Sequence, residues 1–478
     1  MVFSSIIFLL LFLPITLTAY YLVGERFRNL LLLFASLLFY AWGEGYYLAI
    51  MIVSIGVNYT IGMQINRSNS QFIRRRWLIA GIIANLLTLG IFKYTNWLVA
   101  NAAGLFSLPA TDILPQPIHL PIGISFFTFQ ALSYIIDVYR NETAAQQNPF
   151  RLGLYIASFP QLIAGPIVRY NQVADQIIKR THSFALFASG VERFTFGLAK
   201  KVLIANPMAA MADRIFALDY AHLPPEVAWL GIICYTLQIY FDFSGYSDMA
   251  IGLGRMFGFH FPENFNYPYI SRSIQEFWRR WHISLSGWFR DYLYFPLGGN
   301  RKGELTTYRN LFIVFLLCGL WHGASWNFVI WGLIHGLFLV LERNILKGWL
   351  ARRRPLFQHF YALFIVTNAW VFFRIEDLSD ALDYLKALYF MADQPINGIS
   401  IGIQIEADGL FLATFGCALL LATPVFQYLK KLPLWGKEHG KNSLTTIIFK
   451  PASLGLLLYI SISFLAVNAY NPFIYFRF

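Results

Sequence analysis

Two histidines lie in stretches that are unusually polar or interrupted for so apolar a chain. His282 is part of the run RRWHISLSGWFRDYLYFPLGGNRKG, and His322 lies between two tryptophans in GLWHGASWN. Imidazole is the side chain best suited to moving protons near neutral pH. A lone histidine in an apolar helix is usually a packing residue. Two of them in interrupted segments make catalysis a serious alternative.

Other residue types could do chemistry here, but their settings argue against it. Cys318 precedes His322 by one helical turn and could in principle carry an acyl group. Its surroundings, FLLCGL, are apolar and disfavour a reactive thiolate. His335, in WGLIHGLFL, is predicted to be structural. If the helix from His322 were continuous, His335 would lie on a roughly opposite face.

Several classes of protein are disfavoured because their signatures are missing from the sequence. The chain has no GxSxG elbow, P-loop, dinucleotide-binding GxGxxG or HExxH motif, which disfavours a hydrolase, an NTP-driven pump and a zinc peptidase. The three cysteines have no metal-ligand spacing. We therefore predict no metal site and no permanently bound cofactor.

Polar side chains also interrupt the apolar run 226–256, in the sequence QIYFDFSGYSD. Asp242 and Asp248 are six residues apart, do not share a helical face, and are poorly placed as a general acid and base. Each either accepts hydrogen bonds from a neighbouring helix or arginine, or lines a substrate cavity. The predicted cavity-lining residues are Gln238, Asp242, Asp248, Trp321, Trp326 and Asn327.

Five cations surround His282 and could together form a strongly cationic face. Neighbouring tryptophan, phenylalanine and tyrosine residues indicate a position at a membrane interface. An amphipathic interfacial helix has the same composition without binding any ligand, and this alternative stays open. The other interpretation is a binding site for an anionic ligand. The five cations are Arg279, Arg280, Arg290, Arg301 and Lys302.

Composition indicates a membrane protein. Of 478 residues, 57% are hydrophobic and only 13% are charged, whereas soluble domains carry about 25% charged residues. The net charge of +12 comes largely from clusters at the ends of apolar runs. The positive-inside bias of cytoplasmic loops explains these clusters better than nucleic-acid binding does.

Apolar runs predict roughly ten to twelve transmembrane helices in a single membrane-embedded domain, residues 1–478. The first run follows no basic n-region, so we expect a spanning helix rather than a removed signal. The run 309–343 is too long for one helix and should break at Trp321-His322-Gly323. Such runs lie at about 6–23, 29–43, 46–64, 77–100, 151–169, 226–256, 309–343, 358–375, 408–428 and 449–470.

Three further segments are apolar but carry charges or backbone breakers, at 121–139, 159–170 and 273–297. Irregular backbone at membrane depth occurs only inside protein or along a wet cavity, so we expect re-entrant or cavity-lining pieces. No internal repeat is visible, which argues against the inverted repeats common in transporters.

Five segments resemble the membrane-bound O-acyltransferase family, and most closely its alginate O-acetylation branch. The opening MVFSSIIFLLLFLP and the ending NPFIYFRF are similar to that branch as well, so the resemblance covers nearly the whole chain. The segments are PIGISFFTFQALSYIIDVYR, FPQLIAGPIVRY, QIYFDFSGYSDMAIGLGRMFG, EFWRRWHISLSGWFRDYLYFPLGGNRKG and GLWHGASWNFVIWGLIHG.

The resemblance implies an all-α polytopic fold and an acyltransferase activity. The family's catalytic histidine matches His322, and its second signature position, Asn or Asp in many members, matches His282. By the same resemblance, acetyl-CoA or an acyl carrier supplies the acetyl group on the cytoplasmic side of a bacterial inner membrane. The five cations around His282 are then the predicted donor-binding residues, which recognise the phosphates of that donor. A separate extracytoplasmic partner protein then O-acetylates a polysaccharide such as alginate.

Two alternatives to this function stay open. Within the enzyme class, the same role in peptidoglycan or another envelope glycan is possible. From a different class, a non-catalytic exporter or channel would also place polar groups at membrane depth. It would need no histidine pair and would usually show repeats or an energy-coupling site.

Overall fold

Helices build the described part of the chain. The computed structural model describes residues 2–390, 408–425, 448–467 and 470–474, and these form helices and turns without a β-strand. They divide into two compact units. The first unit holds 2–194 and 249–262, and the second holds 195–248 and the described residues from 263 to 474. The expectation of one domain over residues 1–478 stays a prediction.

The first unit contains the amino-terminal helices. Gly45 has φ 55° and separates two long helices, because glycine adopts positive φ without steric cost. The α-helices are Leu13–Leu22, Glu25–Glu44, Leu48–Arg67, Gln71–Leu105, Ala110–Ile113, Ile124–Arg140, Pro149–Ala157, Phe159–Leu162 and Tyr170–Ile178, with a π-helix at Phe8–Phe12 and a 3₁₀ turn at Gly45–Tyr47.

Aromatic side chains fill part of this unit's core. Phe12, Phe39 and Phe159 are buried, with ring centroids 5.4–5.6 Å apart and Phe12 and Phe159 in an edge-to-face arrangement. Helix Ile124–Arg140, part of one predicted irregular segment, is buried along most of its length. At its start Gly123 has φ 77° and lies against the carbonyl of Leu162, where a Cβ would stand 2.8 Å from that oxygen.

The second unit contains both histidines. Helices Phe184–Ala199 and Pro225–Met256 contribute residues to both units. The other α-helices of the second unit are Asn206–Phe216, Ile274–Arg280, Ile283–Phe289, Glu304–His322, Trp326–Leu341, Lys347–Ala351, Pro355–Arg374, Leu378–Leu388, Gly409–Leu421 and Lys450–Val467, with π-helices at Lys200–Ala205, Arg290–Tyr294 and Glu342–Leu346 and 3₁₀ turns at Tyr220–His222 and Pro268–Ile270.

The predicted break in the run 309–343 is confirmed. Helix Glu304–His322 ends at His322, and Ser325 caps the next helix, Trp326–Leu341, by accepting from the backbone N–H of Phe328. Glycines let the two helices approach closely. A Cβ on Gly319 would collide with the carbonyl of Phe328, so a larger residue would force the helices apart.

Six stretches of the described chain are long and apolar enough to cross a membrane. The helices Phe8–Leu22 and Gly409–Leu421 are apolar but shorter. The chain is therefore a polytopic helical membrane protein. The predicted ten to twelve spans include shorter helices and runs that lie partly outside the described residues. The six stretches are Glu25–Arg67, Gln71–Leu105, Pro225–Met256, Trp326–Ala351, Pro355–Arg374 and Lys450–Val467.

Candidate active site

His282 lies at a sharp turn between two short helices. Helix Ile274–Arg280 leads into the turn and helix Ile283–Phe289 leaves it, while His282 itself has φ 42° and ψ 55°. This left-handed conformation is uncommon for a residue with a Cβ and costs about 1–3 kcal/mol. The surrounding structure must therefore impose it.

Backbone hydrogen bonds on both sides of the turn supply that constraint. The Asn266 N–H donates to the carbonyl of Arg280 at 2.9 Å, and the Ile283 N–H donates to the carbonyl of Asn264 at 2.9 Å. The segment 264–266 thus holds the chain immediately before and after His282.

Glu342 fixes the start of the helix that leads into the turn. Its Oε1 accepts from the Ile274 N–H at 2.6 Å and its Oε2 from the Gln275 N–H at 3.0 Å. Ser273 Oγ accepts from the Glu276 N–H at 3.0 Å. Three N–H groups that a helix start leaves without intrahelical partners are therefore bonded, so the segment before His282 is anchored.

The His282 ring is fully buried among aromatic residues. The Phe243 ring meets it edge-on at a centroid distance of 4.6 Å, Phe265 lies at 6.5 Å and Trp321 at 6.0 Å. Its Nδ1 lies 3.0 Å from Oδ1 of Asn264. The ring is thus oriented by packing on its faces and edges and by a hydrogen bond at one nitrogen.

His322 is the last residue of helix Glu304–His322 and is 3% exposed. Three rings meet the imidazole nearly edge to face: Trp321 at 4.9 Å, Trp331 at 4.9 Å and Phe373 at 5.1 Å between centroids. Its neighbour Gly323 has extended backbone and lies against the Phe328 ring, where no Cβ would fit. The helix therefore ends with His322 enclosed by aromatic residues.

The structure brings the two histidines together around Trp321. The Trp321 centroid lies 6.0 Å from that of His282 and 4.9 Å from that of His322. The centroids of the two imidazole rings are therefore separated by no more than the sum of these two distances. This arrangement joins two segments that are forty residues apart in the sequence.

His335 also packs against Trp331. It is fully buried, with Trp331 edge-on at 5.0 Å, Trp278 edge-on at 5.2 Å and Phe277 stacked at 6.1 Å. Because the helix breaks after His322, the opposite-face relation expected for a continuous helix does not apply. Both His322 and His335 contact Trp331.

Asp242 forms a buried ion pair with Lys201. Its Oδ1 lies 2.8 Å from Lys201 Nζ, and the two side chains are 1% and 2% exposed. The other oxygen, Oδ2, accepts from the Ile474 N–H at 3.0 Å, and Lys201 also donates to the carbonyl of Pro472. The Phe473 ring packs against Tyr246 at 4.8 Å. The pair therefore anchors the segment 470–474.

Two other predicted residues of helix Pro225–Met256 have different surroundings. Asp248 pairs with Lys200 at 2.6 Å, and this lysine side chain is 33% exposed. Gln238 is buried one turn before Asp242. Both aspartates therefore pair with lysines of a neighbouring helix, Lys200–Ala205. Their lining of a substrate cavity stays a prediction.

The five predicted donor-binding cations separate into two groups. Arg280 pairs with Glu276 at 2.9 Å, and Arg290 pairs with Asp291 at 2.7 Å. The hydrogen bond to Asp291 raises the pKa of the Arg290 guanidinium. Within the described structure, the other three are exposed and have no ion-pair partner. We call them the unpaired cations: Arg279, Arg301 and Lys302.

Two of the predicted cavity-lining residues lie at the start of helix Trp326–Leu341 and differ in exposure. The Trp326 side chain points outward and is 53% exposed. Asn327 is buried, and its Nδ2 donates to the carbonyls of Ile375 at 2.7 Å and Asp377 at 3.0 Å. Asn327 therefore ties this helix to the end of Pro355–Arg374.

A cavity of about 890 Å³ lies elsewhere in the second unit. None of the six predicted cavity-lining residues is among the described residues that line it. Its walls are mainly apolar side chains of helices Asn206–Phe216, Gly409–Leu421 and Lys450–Val467, with Asp213 and Arg214 among the charged groups.

Sequence reasoning missed two residues that hold the His282 turn, Asn264 and Glu342. Asn264 lies in PENFNYPYI, which has no periodicity, and Glu342 follows an apolar helix and resembles a surface charge. Their burial is the decisive fact, at 1% and 7% exposed. A carboxylate directly after an apolar span was the one available signal, because membrane-depth charges are expected to have partners.

Comparisons with known proteins agree with this architecture. The membrane-bound O-acyltransferase family model matches residues 124–374, which include both histidines. The chain is 44% identical to the probable alginate O-acetylase AlgI of Pseudomonas putida and 42% identical to that of Pseudomonas aeruginosa, each over the full length of both chains. It is 35% identical to the peptidoglycan O-acetyltransferase of Helicobacter pylori, covering all of this chain and 98% of that one.

The chain belongs to the membrane-bound O-acyltransferase family. It is therefore an enzyme of the membrane that takes an acyl donor as substrate. Family membership favours this class over the exporter or channel considered from the sequence.

Proposed function

We propose that the protein transfers an acetyl group from a cytoplasmic thioester, acetyl-CoA or an acetylated carrier protein, for O-acetylation of an exported polysaccharide. Alginate is the first candidate, because the relatives named above as probable alginate O-acetylases match this chain from end to end. The proposed location of the protein is the cytoplasmic membrane of a bacterium, where membrane lipid surrounds it.

The observation that carries the proposal is the pair of buried imidazoles that share Trp321. His322 would remove the proton of the acceptor hydroxyl or briefly hold the acyl group, and His282 would orient the acceptor or share its proton. Enclosure by aromatic rings excludes water, which would otherwise hydrolyse the thioester.

The cations near His282 would bind the donor. Coenzyme A and the phosphopantetheine arm of a carrier protein both carry phosphate, and charge-assisted hydrogen bonds to phosphate are worth about 1.5–3 kcal/mol each. The unpaired cations are best placed for this role, because Arg280 and Arg290 already pair with carboxylates of the same chain.

Delivery to the polymer would need a second protein. We propose an extracytoplasmic O-acetyltransferase as partner. The second candidate acceptor is peptidoglycan, which the match to the Helicobacter pylori peptidoglycan O-acetyltransferase favours. Supplying each glycan with the partner and measuring acetyl ester formation would distinguish the two.

The activity test uses purified protein in lipid nanodiscs with acetyl-labelled CoA. We expect thioester consumption and acetyl transfer. His322→Gln should lose essentially all transfer, because loss of a general base alone costs about 10²–10⁴ in rate. His335→Gln is the matched control, a buried histidine on the neighbouring helix, and should retain activity. An active His322→Gln would overturn the proposed role of His322.

A further inference from the structure

We propose that Asn264 is a positioning residue that fixes the proton of the neutral His282 ring on Nδ1, so that Nε2 offers its lone pair to the acceptor hydroxyl and orients it. The proposal rests on the proposed acetyl transfer for its catalytic consequence. Nothing in the sequence marks Asn264, and its role follows from four hydrogen bonds.

The orientation of the Asn264 amide is set by its neighbours. The Ser284 backbone N–H lies 3.2 Å from Oδ1, and a backbone N–H can only donate, so the atom that faces it must be the oxygen. On the other side, Nδ2 donates to Ser247 Oγ at 3.0 Å. The Ser284 hydroxyl also donates to Oδ1, at 2.8 Å.

This orientation determines which His282 nitrogen carries hydrogen. Nδ1 lies 3.0 Å from Asn264 Oδ1, and a carbonyl oxygen can only accept, so Nδ1 must be the N–H donor. The lone pair of the neutral ring is then on Nε2. That nitrogen is buried and has no hydrogen-bond partner in the described part of the chain.

The chemistry requires that lone pair. The acceptor hydroxyl donates a hydrogen bond to Nε2 of His282, which orients it, and His322 takes its proton while its oxygen bonds to the thioester carbonyl carbon. The carbon–sulfur bond breaks, and the departing thiolate takes that proton from the His322 imidazolium. Without the Asn264 oxygen, the His282 ring could place its hydrogen on Nε2, and Nε2 could then no longer accept the hydrogen bond of the hydroxyl.

Two substitutions at Asn264 separate positioning from simple packing. Asn264→Ala removes the acceptor of Nδ1–H, and we expect kcat to fall by about 10-fold to 100-fold, as for the loss of an orienting hydrogen bond, with little change in donor KM. Asn264→Asp keeps the acceptor and should recover most of the rate. Asn85→Ala removes a buried asparagine of the first unit and serves as the matched control.

The pH profile of the Asn264→Asp variant carries a second signature. The side chains that contact the His282 ring are neutral: Asn264, Ser284, Phe243, Phe265 and Trp321. A carboxylate next to Nδ1–H would raise the pKa of the His282 imidazolium by about one unit or more. Nε2 can accept a hydrogen bond only in the neutral ring, so for Asn264→Asp the acidic limb of kcat/KM should move to higher pH.

A direct readout does not depend on activity. The protein is labelled with ¹⁵N-histidine, and the His282 resonances are assigned by their loss in His282→Asn. Solid-state NMR then reports which nitrogen bears hydrogen. We expect Nδ1–H in the wild type and a changed or mixed population in Asn264→Ala.

These outcomes decide the proposal. It is supported by Nδ1–H in the wild type, a large kcat loss in Asn264→Ala, and recovery with a displaced acidic limb in Asn264→Asp. It is overturned by Nε2–H in the wild type, by full activity of Asn264→Ala, or by equal losses in both variants with an unmoved limb. If Asn264→Ala fails to accumulate, NMR and the Asn264→Asp variant decide. If the wild type transfers no acetyl group, the proposed function fails, while NMR still tests the proton position.

Discussion

The buried pair Lys201–Asp242 makes the strongest stability prediction. Lys201→Met would leave the Asp242 carboxylate in a site where it is 1% exposed, with the Ile474 N–H as a remaining donor. Breaking a buried pair by removing one partner costs about 3–5 kcal/mol. At about 2 °C per kcal/mol for a unit of this size, the melting temperature should fall by roughly 6–10 °C.

The double variant Lys201→Met, Asp242→Asn tests whether the stranded charge is responsible. It removes both charges and keeps an acceptor for the Ile474 N–H, so it should regain most of the lost stability, because neutral replacements of buried ion pairs are often tolerated. Lys200→Met is the matched control on the adjacent residue. Its pair with Asp248 is partly exposed, so the loss should be about 0–1 kcal/mol.

Thermal unfolding can be followed through the protein's own cysteines. Cys234 and Cys318 are buried and should react with a thiol-sensitive dye only on unfolding, whereas the exposed Cys417 is first replaced by serine. If Lys201→Met has the same melting temperature as Lys200→Met, the Lys201–Asp242 pair contributes little to stability. If the double variant is no more stable than Lys201→Met, lost packing rather than a stranded charge causes the effect.

Four further predictions follow. Single cysteines at Arg74–Arg76, Arg352–Arg354 and, outside the described residues, Lys430–Lys431 should resist impermeant thiol reagents in intact cells; ready labelling would reverse the orientation. Replacing the unpaired cations should raise donor KM more than it lowers kcat, and the rise in KM should be smaller at high salt; an unchanged KM would mean that these residues are interfacial anchors and not donor-binding residues. Glu342→Leu should lower activity because it leaves two backbone N–H groups without an acceptor, each at a cost of about 1–3 kcal/mol, whereas Glu342→Gln should retain part of the activity; equal activities of the two variants and the wild type would refute this. His282→Asn should retain partial transfer, whereas complete loss at normal abundance would require imidazole itself.

The sequence predicted the helical membrane fold because that fold follows from local composition. Apolar runs and cation clusters determine spans one segment at a time. The break after His322 was also local, since Gly319 and Gly323 flank it and Ser325 caps the next helix. What composition could not give was the division into two units, in which residues 249–262 belong with the amino-terminal helices.

The candidate site was predictable only where side-chain type alone carries information. Both histidines stood out because imidazole is rare in apolar runs, and the structure places them around one tryptophan. The partners of Asp242 could not be foreseen, because Lys201 and Ile474 are distant in sequence. The same holds for Asn264, whose neighbours His282 and Ser284 reach it only through the folded turn.

The left-handed turn gives a physical meaning to the residue types that the resemblance associates with position 282. Asn and Asp are the residues with a Cβ that most readily adopt positive φ, so either fits the backbone found at His282 with little added strain. Both also offer an oxygen acceptor, which is what Nε2 offers when Asn264 holds the proton on Nδ1. The position therefore combines two requirements, a backbone at positive φ and an acceptor directed into a buried site. His282 meets both requirements, since histidine is also among the residues with a Cβ that adopt positive φ. The hydrogen bonds from segment 264–266 and from Glu342 hold it in that conformation.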